Sequence, residues 1–481
     1  MRPGHRAGGH LPVRRVAAGL ALALGSLAGC PERSSARLDA TTSDVWQLRF
    51  PVSLNRNLDL LFVIDDSGSM AEEQASLARN FAAFMDALGT IEGGLPDVHI
   101  GVVSTDVGSG GVNVGGCSSA TRPDGDDGAL LTSGCPGVTA PYLEDIALPT
   151  GARQRNYRGD LAEVFGCMAR LGTTGCGFEA PLEAAARALA PGKNPGFLRP
   201  EAMLAVIFVT DEDDCSARPG GALFADPDAT VASPLGPRTS FRCWEFGVEC
   251  DDAPNPRAFG TYTGCRPRAA SPYLQDVQRY VDQVKGLKDD PRKVAVAAIV
   301  GDVDDARTSV VAPDPDDPGR PMLAPSCSSP SGVAVPAHRL KAFLDGFPER
   351  NHTTSICDAD LTDALVPFGQ MIKIALGATC VEPHLADRDP ARPGLQPECA
   401  FTEVTHPDGP DRTEAVLPAC DATGGATPCW RFEIDPAGCS LSPGHQRIVI
   451  DHAGASVPHD TYVEVQCVAC DPATAPAGTC P

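Results

Sequence analysis

The sequence predicts an α/β protein, a doubly wound parallel sheet interrupted by insertions, followed by a small cysteine-rich β module. Three observations carry this. Short apolar runs at 58–64, 98–104, 204–210 and 294–300 read as strands covered on both faces. Segments with apolar residues at helical spacing alternate with them, the order that builds a parallel sheet with crossover helices. Beyond residue 380 the helical period ends and cysteines become frequent.

The first strand, 58–64 (LDLLFVI), is followed by a polar turn and then by Leu77, Phe81, Phe84, Met85 and Leu88, a stripe that predicts a helix packed on the sheet. Further helices are expected at 159–170, 178–190, 272–288, 337–346 and 360–376, with Pro367 bending the last. Segments 106–157, 212–271 and 302–330 are rich in Gly, Asp and Pro. Loops so long are uncommon in compact domains, which predicts insertions pinned by disulfides on the sheet's rim. These divisions place a main domain at 57–379 and the β module at 380–481, where 430–435, 447–451 and 461–467 alternate as half-buried strands. A module of that size needs crosslinks because its core is limited.

The amino terminus has four arginines, Arg2, Arg6, Arg14 and Arg15, ahead of an apolar run from Val16 to about Leu27. That run is too short to span a bilayer, which takes about 20 apolar residues, and it reads as an export signal over 1–29. It ends in Leu27-Ala-Gly-Cys30, which resembles the lipobox of bacterial lipoproteins. The resemblance implies a diacylated Cys30, a tether over 30–56 and an envelope location on a lipid anchor. Pro31 in place of aspartate favours the outer membrane or cell surface over the inner membrane.

Of 19 cysteines, Cys30 would be lipidated, and the remaining 18 can form nine bridges, a density suited to an oxidising compartment. Local spacing offers Cys117 with Cys135, Cys167 with Cys176 and Cys243 with Cys250, and a structural role for Cys467 and Cys470. The formal charge of −23 becomes 35 − 62 = −27 once the four arginines of the signal are removed, which argues against nucleic acid or anionic lipid surfaces as partners.

Directly after the first strand stand Asp65-Asp-Ser-Gly-Ser-Met70. One carboxylate and two hydroxyls on a tight loop suit a hard cation that prefers oxygen, and Gly68 is expected to let the loop turn closely. Asp65, Ser67 and Ser69 in this setting resemble the Asp-x-Ser-x-Ser signature of the von Willebrand factor type A (vWA) family, whose metal-ion-dependent adhesion site (MIDAS) binds Mg2+, Mn2+ or Ca2+. The resemblance covers about 57–378 without the insertions. It implies completion of the site by an aspartate after a later strand, matched by Asp211 in 206–211 (VIFVTD), and by a threonine before a helix, matched by Thr173, with Thr174 as the alternative. It further implies a non-enzymatic, adhesion-type protein that takes a carboxylate of a protein or extracellular matrix ligand on the metal. The alternatives are an envelope assembly component with a fold-stabilising metal and an uncharacterised hydrolase, for which the sequence offers no nucleophile and base.

Two further acidic runs stay open. Glu212-Asp-Asp214 reads as a solvated loop or a second calcium site, and Asp66, expected to point away from Asp65, faces a second cation or solvent. Asp124-Gly-Asp-Asp-Gly128 lacks the spacing of a calcium loop and reads as a turn.

Overall fold

The computed structural model describes residues 45–480 apart from short stretches, the longest of them 118–121, 252–254, 421–426 and 476–479. The export segment, Cys30 and most of the tether lie outside the described residues. Among the described residues no helix is long and apolar enough to cross a membrane.

The chain begins with β1 (Val45–Pro51), then β2 (Asn57–Ile64), α1 (Ala71–Gly89), β3 (Asp97–Ser104), β4 (Leu143–Ala147), β5 (Arg153–Arg155), α2 (Leu161–Met168), α3 (Pro181–Ala188) and β6 (Met203–Val209). There follow α4 (Phe241–Gly247), α5 (Val277–Lys285), β7 (Val294–Val300), α6 (His338–Asp345), β8 (Asn351–Ser355) and α7 (Thr362–Ala375). The central sheet has the order β8-β7-β6-β2-β3-β4-β5. From β8 to β3 it is parallel, and β4 and β5 add on antiparallel. The architecture is thus mixed α/β with a mostly parallel sheet.

Alternation along β2 explains the two layers. Leu58, Leu60, Phe62 and Ile64 enter one core with residues of α1, α2 and α7, while Leu61 and Val63 enter the other with residues of α3, α5 and α6. Phe62 is fully buried and meets the rings of Phe81, Phe84 and Phe165. Pro367 lies within α7 without ending it.

The insertions are more ordered than their composition predicts. Segment 106–157 contributes β4 and β5, whose polar sequences hide a strand because its buried partners are ionic: Asp145 lies under Arg153, Arg155 and Tyr157. Strands from the other two insertions pair with each other, Gly260–Tyr262 against Ser309–Pro313. Fully buried Arg242 gathers the second insertion by donating to the carbonyls of Leu223, Ala225, Gly236 and Pro237.

All 18 cysteines from Cys117 onward are bridged, but none of the three local pairings holds. Cys117 joins Cys176, Cys135 joins Cys167, Cys215 joins Cys243 and Cys250 joins Cys265. The reason is that the first insertion does not close on itself: it is stitched to the segment after β5. Cys327–Cys357 does the same for the third insertion. Cys467 and Cys470 bond to Cys399 and Cys480 and not to each other, a structural role.

One boundary differs from the sequence reading. Residues 45–51 fall inside the expected tether, yet they form β1, which pairs antiparallel with Tyr462–Val468 at the edge of the carboxyl-terminal sheet. Only Phe50 of this strand is fully buried, so its periodicity is faint. It joins Phe401, Val463, Val465 and Cys467 in a separate small core, on which Trp430 stacks with ring centroids 4.1 Å apart from Phe401.

Phe62→Ala should destabilise the oxidised protein by about 3–5 kcal/mol in urea unfolding, the range for emptying a packed aromatic site. A loss below about 1 kcal/mol would show that the aromatic cluster does not organise this face.

Candidate metal centre

The parallel strands β2 and β6 are neighbours, so the residues that follow them emerge side by side at the carboxyl edge of the sheet. The ladder continues one step beyond: the Asp65 N–H donates to the Val209 carbonyl (3.0 Å) and the Thr210 N–H to Ile299 (3.2 Å). The Asp65 carboxylate is fully buried. One of its oxygens accepts the Ser67 N–H at 2.7 Å and the other the Thr210 hydroxyl at 2.7 Å. This fixes the loop so that the Ser67 and Ser69 hydroxyls lie 3.3 Å apart. Ser69 in turn lies beside the Asp211 carboxylate, whose charged form its hydroxyl favours.

Gln74, in the first turn of α1, holds a third segment in place. Its amide donates to the Asp65 carbonyl (2.8 Å) and the Gly172 carbonyl (2.9 Å) and accepts the Gly172 N–H (3.2 Å). Three residues on, the Gly175 N–H donates to the Asp66 carbonyl at 2.8 Å. Thr173 and Thr174 are carried between these two anchors, alongside the Asp65 loop. Thr173 is half-buried and Thr174 exposed, which favours Thr173 as the inward hydroxyl. Cys176, two residues beyond Thr174, ties this segment to the first insertion.

Gly68 does not play the part expected of it: it is exposed, lacks a left-handed backbone and has open space around its Cα. Gly175 is the glycine that matters, because a Cβ there would stand 2.2 Å from the Asp66 carboxylate. Asp66 faces Asp106 and Asp126 of the first insertion rather than solvent alone.

Negative charge is concentrated here. Burial, reinforced by Asp211, pushes Asp65 up to about 7. Burial with Asp106, Asp65 and Asp126 does the same for Asp66. Glu212 is also pushed up to about 7 by burial, with Asp211 and Asp65 adding to it, and Asp211 is raised by burial. Glu179, just ahead of α3, is held far above the usual carboxylate range by burial, Glu212 and Asp65. Several of these oxygens are shut away from solvent without a hydrogen-bond donor: one each on Asp66, Glu73, Glu179 and Asp211, and the Thr105 hydroxyl. Buried acceptors that lack donors cost free energy, and a hard cation is the ligand that would satisfy them. The residues therefore fit such an ion. No group of three or more His, Cys, Asp or Glu side chains is arranged to hold one ion among the described residues, and the Asp65 set instead combines two carboxylates with hydroxyls.

Within the run 212–214 the two aspartates are not solvated but are taken up by partners inside the chain. Asp213 accepts the Arg339 and Leu340 N–H groups at the start of α6, which has no cap of its own. Asp214 forms a buried ion pair with Arg339 at 2.9 Å and accepts the Leu182 N–H of α3. Together they pin both helices to the loop that carries Asp211. The 124–128 run is a turn, with Asp127 paired to Arg187 and Lys193. Thr210, Gln74, Glu73 and Glu179 escaped the sequence reading. Thr210 adjoins Asp211, so attention to the strand's last residue would have found it, whereas Glu179 carries no local signal.

No family model matches the chain, and neither does any curated protein. Among solved structures it aligns with the pilus adhesin SpaC from Lactobacillus rhamnosus GG in an open conformation, at 11% identity and a TM-score of 0.30, over 89% of this chain and 41% of that one. It also aligns with the pilus adhesin RrgA from Streptococcus pneumoniae (11%, 0.26, 90% and 60%) and with the human COPII-coat protein Sec24c (9%, 0.27, 88% and 46%). The chain spans less than two thirds of each, and overlaps this low assign neither family nor partner.

The charge arrangement has a consequence for pH. Asp65, Asp66 and Glu212 titrate near 7 when folded and near 4 when unfolded, so between those values the folded chain keeps protons that the unfolded chain releases. In a chelator, stability should therefore fall as pH rises from about 5 to 8, and millimolar Mg2+ or Ca2+ should flatten the decline. Urea midpoints across this window check it. A midpoint that climbs with pH in chelator would mean the carboxylates are already compensated within the chain.

Proposed function

We propose that this chain is a non-enzymatic, divalent-cation-dependent binding protein of the vWA type, displayed at the cell envelope on a lipid anchor at Cys30. Asp65, Ser67, Ser69, Thr173 and Asp211 would hold Mg2+ (or Mn2+ or Ca2+). The observation that carries this reading is the convergence of Asp65, Ser67, Ser69 and Asp211 at one sheet edge, with an Asp211 oxygen buried and lacking a donor. A bound cation would supply an electrophilic coordination position for an oxygen of a protein or matrix ligand, a carboxylate above all. Asp65 and Asp211 sit at the back of the site, while Ser69 and Thr174 are exposed, so a partner would approach from the hydroxyl side.

A structural role for the metal is the second reading. Gln74 and the Cys117–Cys176 bridge already tie the Thr173 segment to its neighbours, and an ion there would add a further tie among the same loops. Partner binding that survives chelation would favour it.

Calorimetric titration of residues 31–481, the mature chain without its lipidated Cys30, keeps β1 intact and tests the metal directly. Asp65→Ala and Ser67→Ala should each weaken Mg2+, Mn2+ or Ca2+ binding at least on the order of tenfold, about 1.4 kcal/mol. Affinities equal to the parent's would remove the proposal's main support.

A further inference from the structure

Four carboxylates, Asp65, Asp211, Glu179 and Glu212, influence one another at the end of β2 and β6, yet no three of them are arranged to ligate one ion. They divide into two pairs. Asp65 and Asp211 share the rim with Ser67 and Ser69. Glu179 and Glu212 lie within hydrogen-bonding reach of each other, and Ser240 at the start of α4 reaches Glu212. Their backbones are fixed against one another: the Cys215 N–H donates to the Glu179 carbonyl at 2.7 Å, and the Thr210 hydroxyl accepts the Glu212 N–H at 3.1 Å. The next residue, Ala180, donates to the carbonyl of Thr105 at 3.1 Å.

Glu179 is 1% exposed, and one of its oxygens has no donor; the fully buried Thr105 hydroxyl has no partner either. The charges that act most strongly on this pair are other carboxylates. Two carboxylates excluded from water need a positive charge between them. A shared proton satisfies one oxygen of each group and leaves the second Glu179 oxygen bare, whereas a cation engages both.

We propose that Glu179 and Glu212 hold a second divalent cation, of the calcium type, next to the rim position; the pairing of ions rests on the metal reading of Asp65, while the ligands are separate. Calcium fits better than magnesium because magnesium retains several waters, and this corner is closed to solvent.

The test is calcium titration of the chelator-stripped mature chain by calorimetry, with metal content measured by mass spectrometry. The parent should bind two Ca2+ per chain, and Glu179→Gln, Glu212→Gln and Ser67→Ala one each. In chelator both glutamine variants should unfold at or above the parent's temperature, since each removes a repelling charge. The second variant keeps the test open if the first misfolds. One ion in the parent, unchanged by both glutamine variants and lost in Ser67→Ala, would overturn the second site, leave the rim standing and identify the link as a proton. One ion lost in Glu179→Gln but kept in Ser67→Ala would support this site and overturn the rim. No ion in the parent would overturn both.

Discussion

Carboxylates buried at the carboxyl edge of a parallel sheet, without cationic side chains to match them, are the constraint around which the rest of this molecule is arranged. Ordinary folds avoid this, because unpaired buried charge shifts its pKa or destabilises the chain. Elsewhere in this protein the rule is kept: Asp59 lies against Arg199 and Asp214 against Arg339. At the opposite end of β2 the buried Asp59 is given its guanidinium, while Asp65, only six residues on, has a hydroxyl and an amide. The contrast within one strand sets the Asp65 end apart, because its buried carboxylate is held by a hydroxyl and a backbone N–H where Asp59 has a guanidinium.

Holding repelling groups together takes a stiff frame, and the insertions supply it. Each of the three segments that interrupt the α/β order is covalently tied, by Cys117–Cys176, Cys215–Cys243 and Cys327–Cys357, to the next part of the rim or to itself. Buried Arg242 and Arg339 then join loops that have little apolar surface by donating to their carbonyls and carboxylates. An acidic loop with poor helix and strand propensity is thereby ordered without a large core of its own. Asp213 belongs to the same logic: it caps α6 from a distance, so a carboxylate that looks like a ligand in the sequence is spent on a helix terminus.

The parallel strands were legible because burial on both faces leaves a continuous apolar run, as in 58–64 and 294–300, and the amphipathic helices because their stripes recur at a period the sheet demands. Polar edge strands were not. β8 (NHTTS) and β5 (RQR) carry no such run, since an edge needs burial on little of its surface. β1 was hidden for another reason: its partner lies more than 400 residues away, at 462–468, and no local pattern reports a pairing that remote. At the site, Asp65, Ser67, Ser69 and Asp211 follow strands that sequence alone could place. The disulfide partners and Glu179 depend on how loops cross the rim, which spacing does not encode.

The charge balance also bears on what kind of partner such a rim would accept. Two like charges 4 Å apart repel by about 4 kcal/mol at an effective dielectric of 20, so excess negative charge near the rim would weigh heavily against an acidic ligand. With one divalent ion and all four carboxylates ionised, the cluster keeps a formal charge of −2, and an incoming carboxylate would meet net repulsion beyond its contact with the metal. With two divalent ions the cluster is neutral, and the rim ion would attract an acidic oxygen without that opposition. Adhesion through a carboxylate and a second cation at Glu179 and Glu212 are therefore linked ideas: the inner ion would supply the compensation that lets the outer one act as an electrophile.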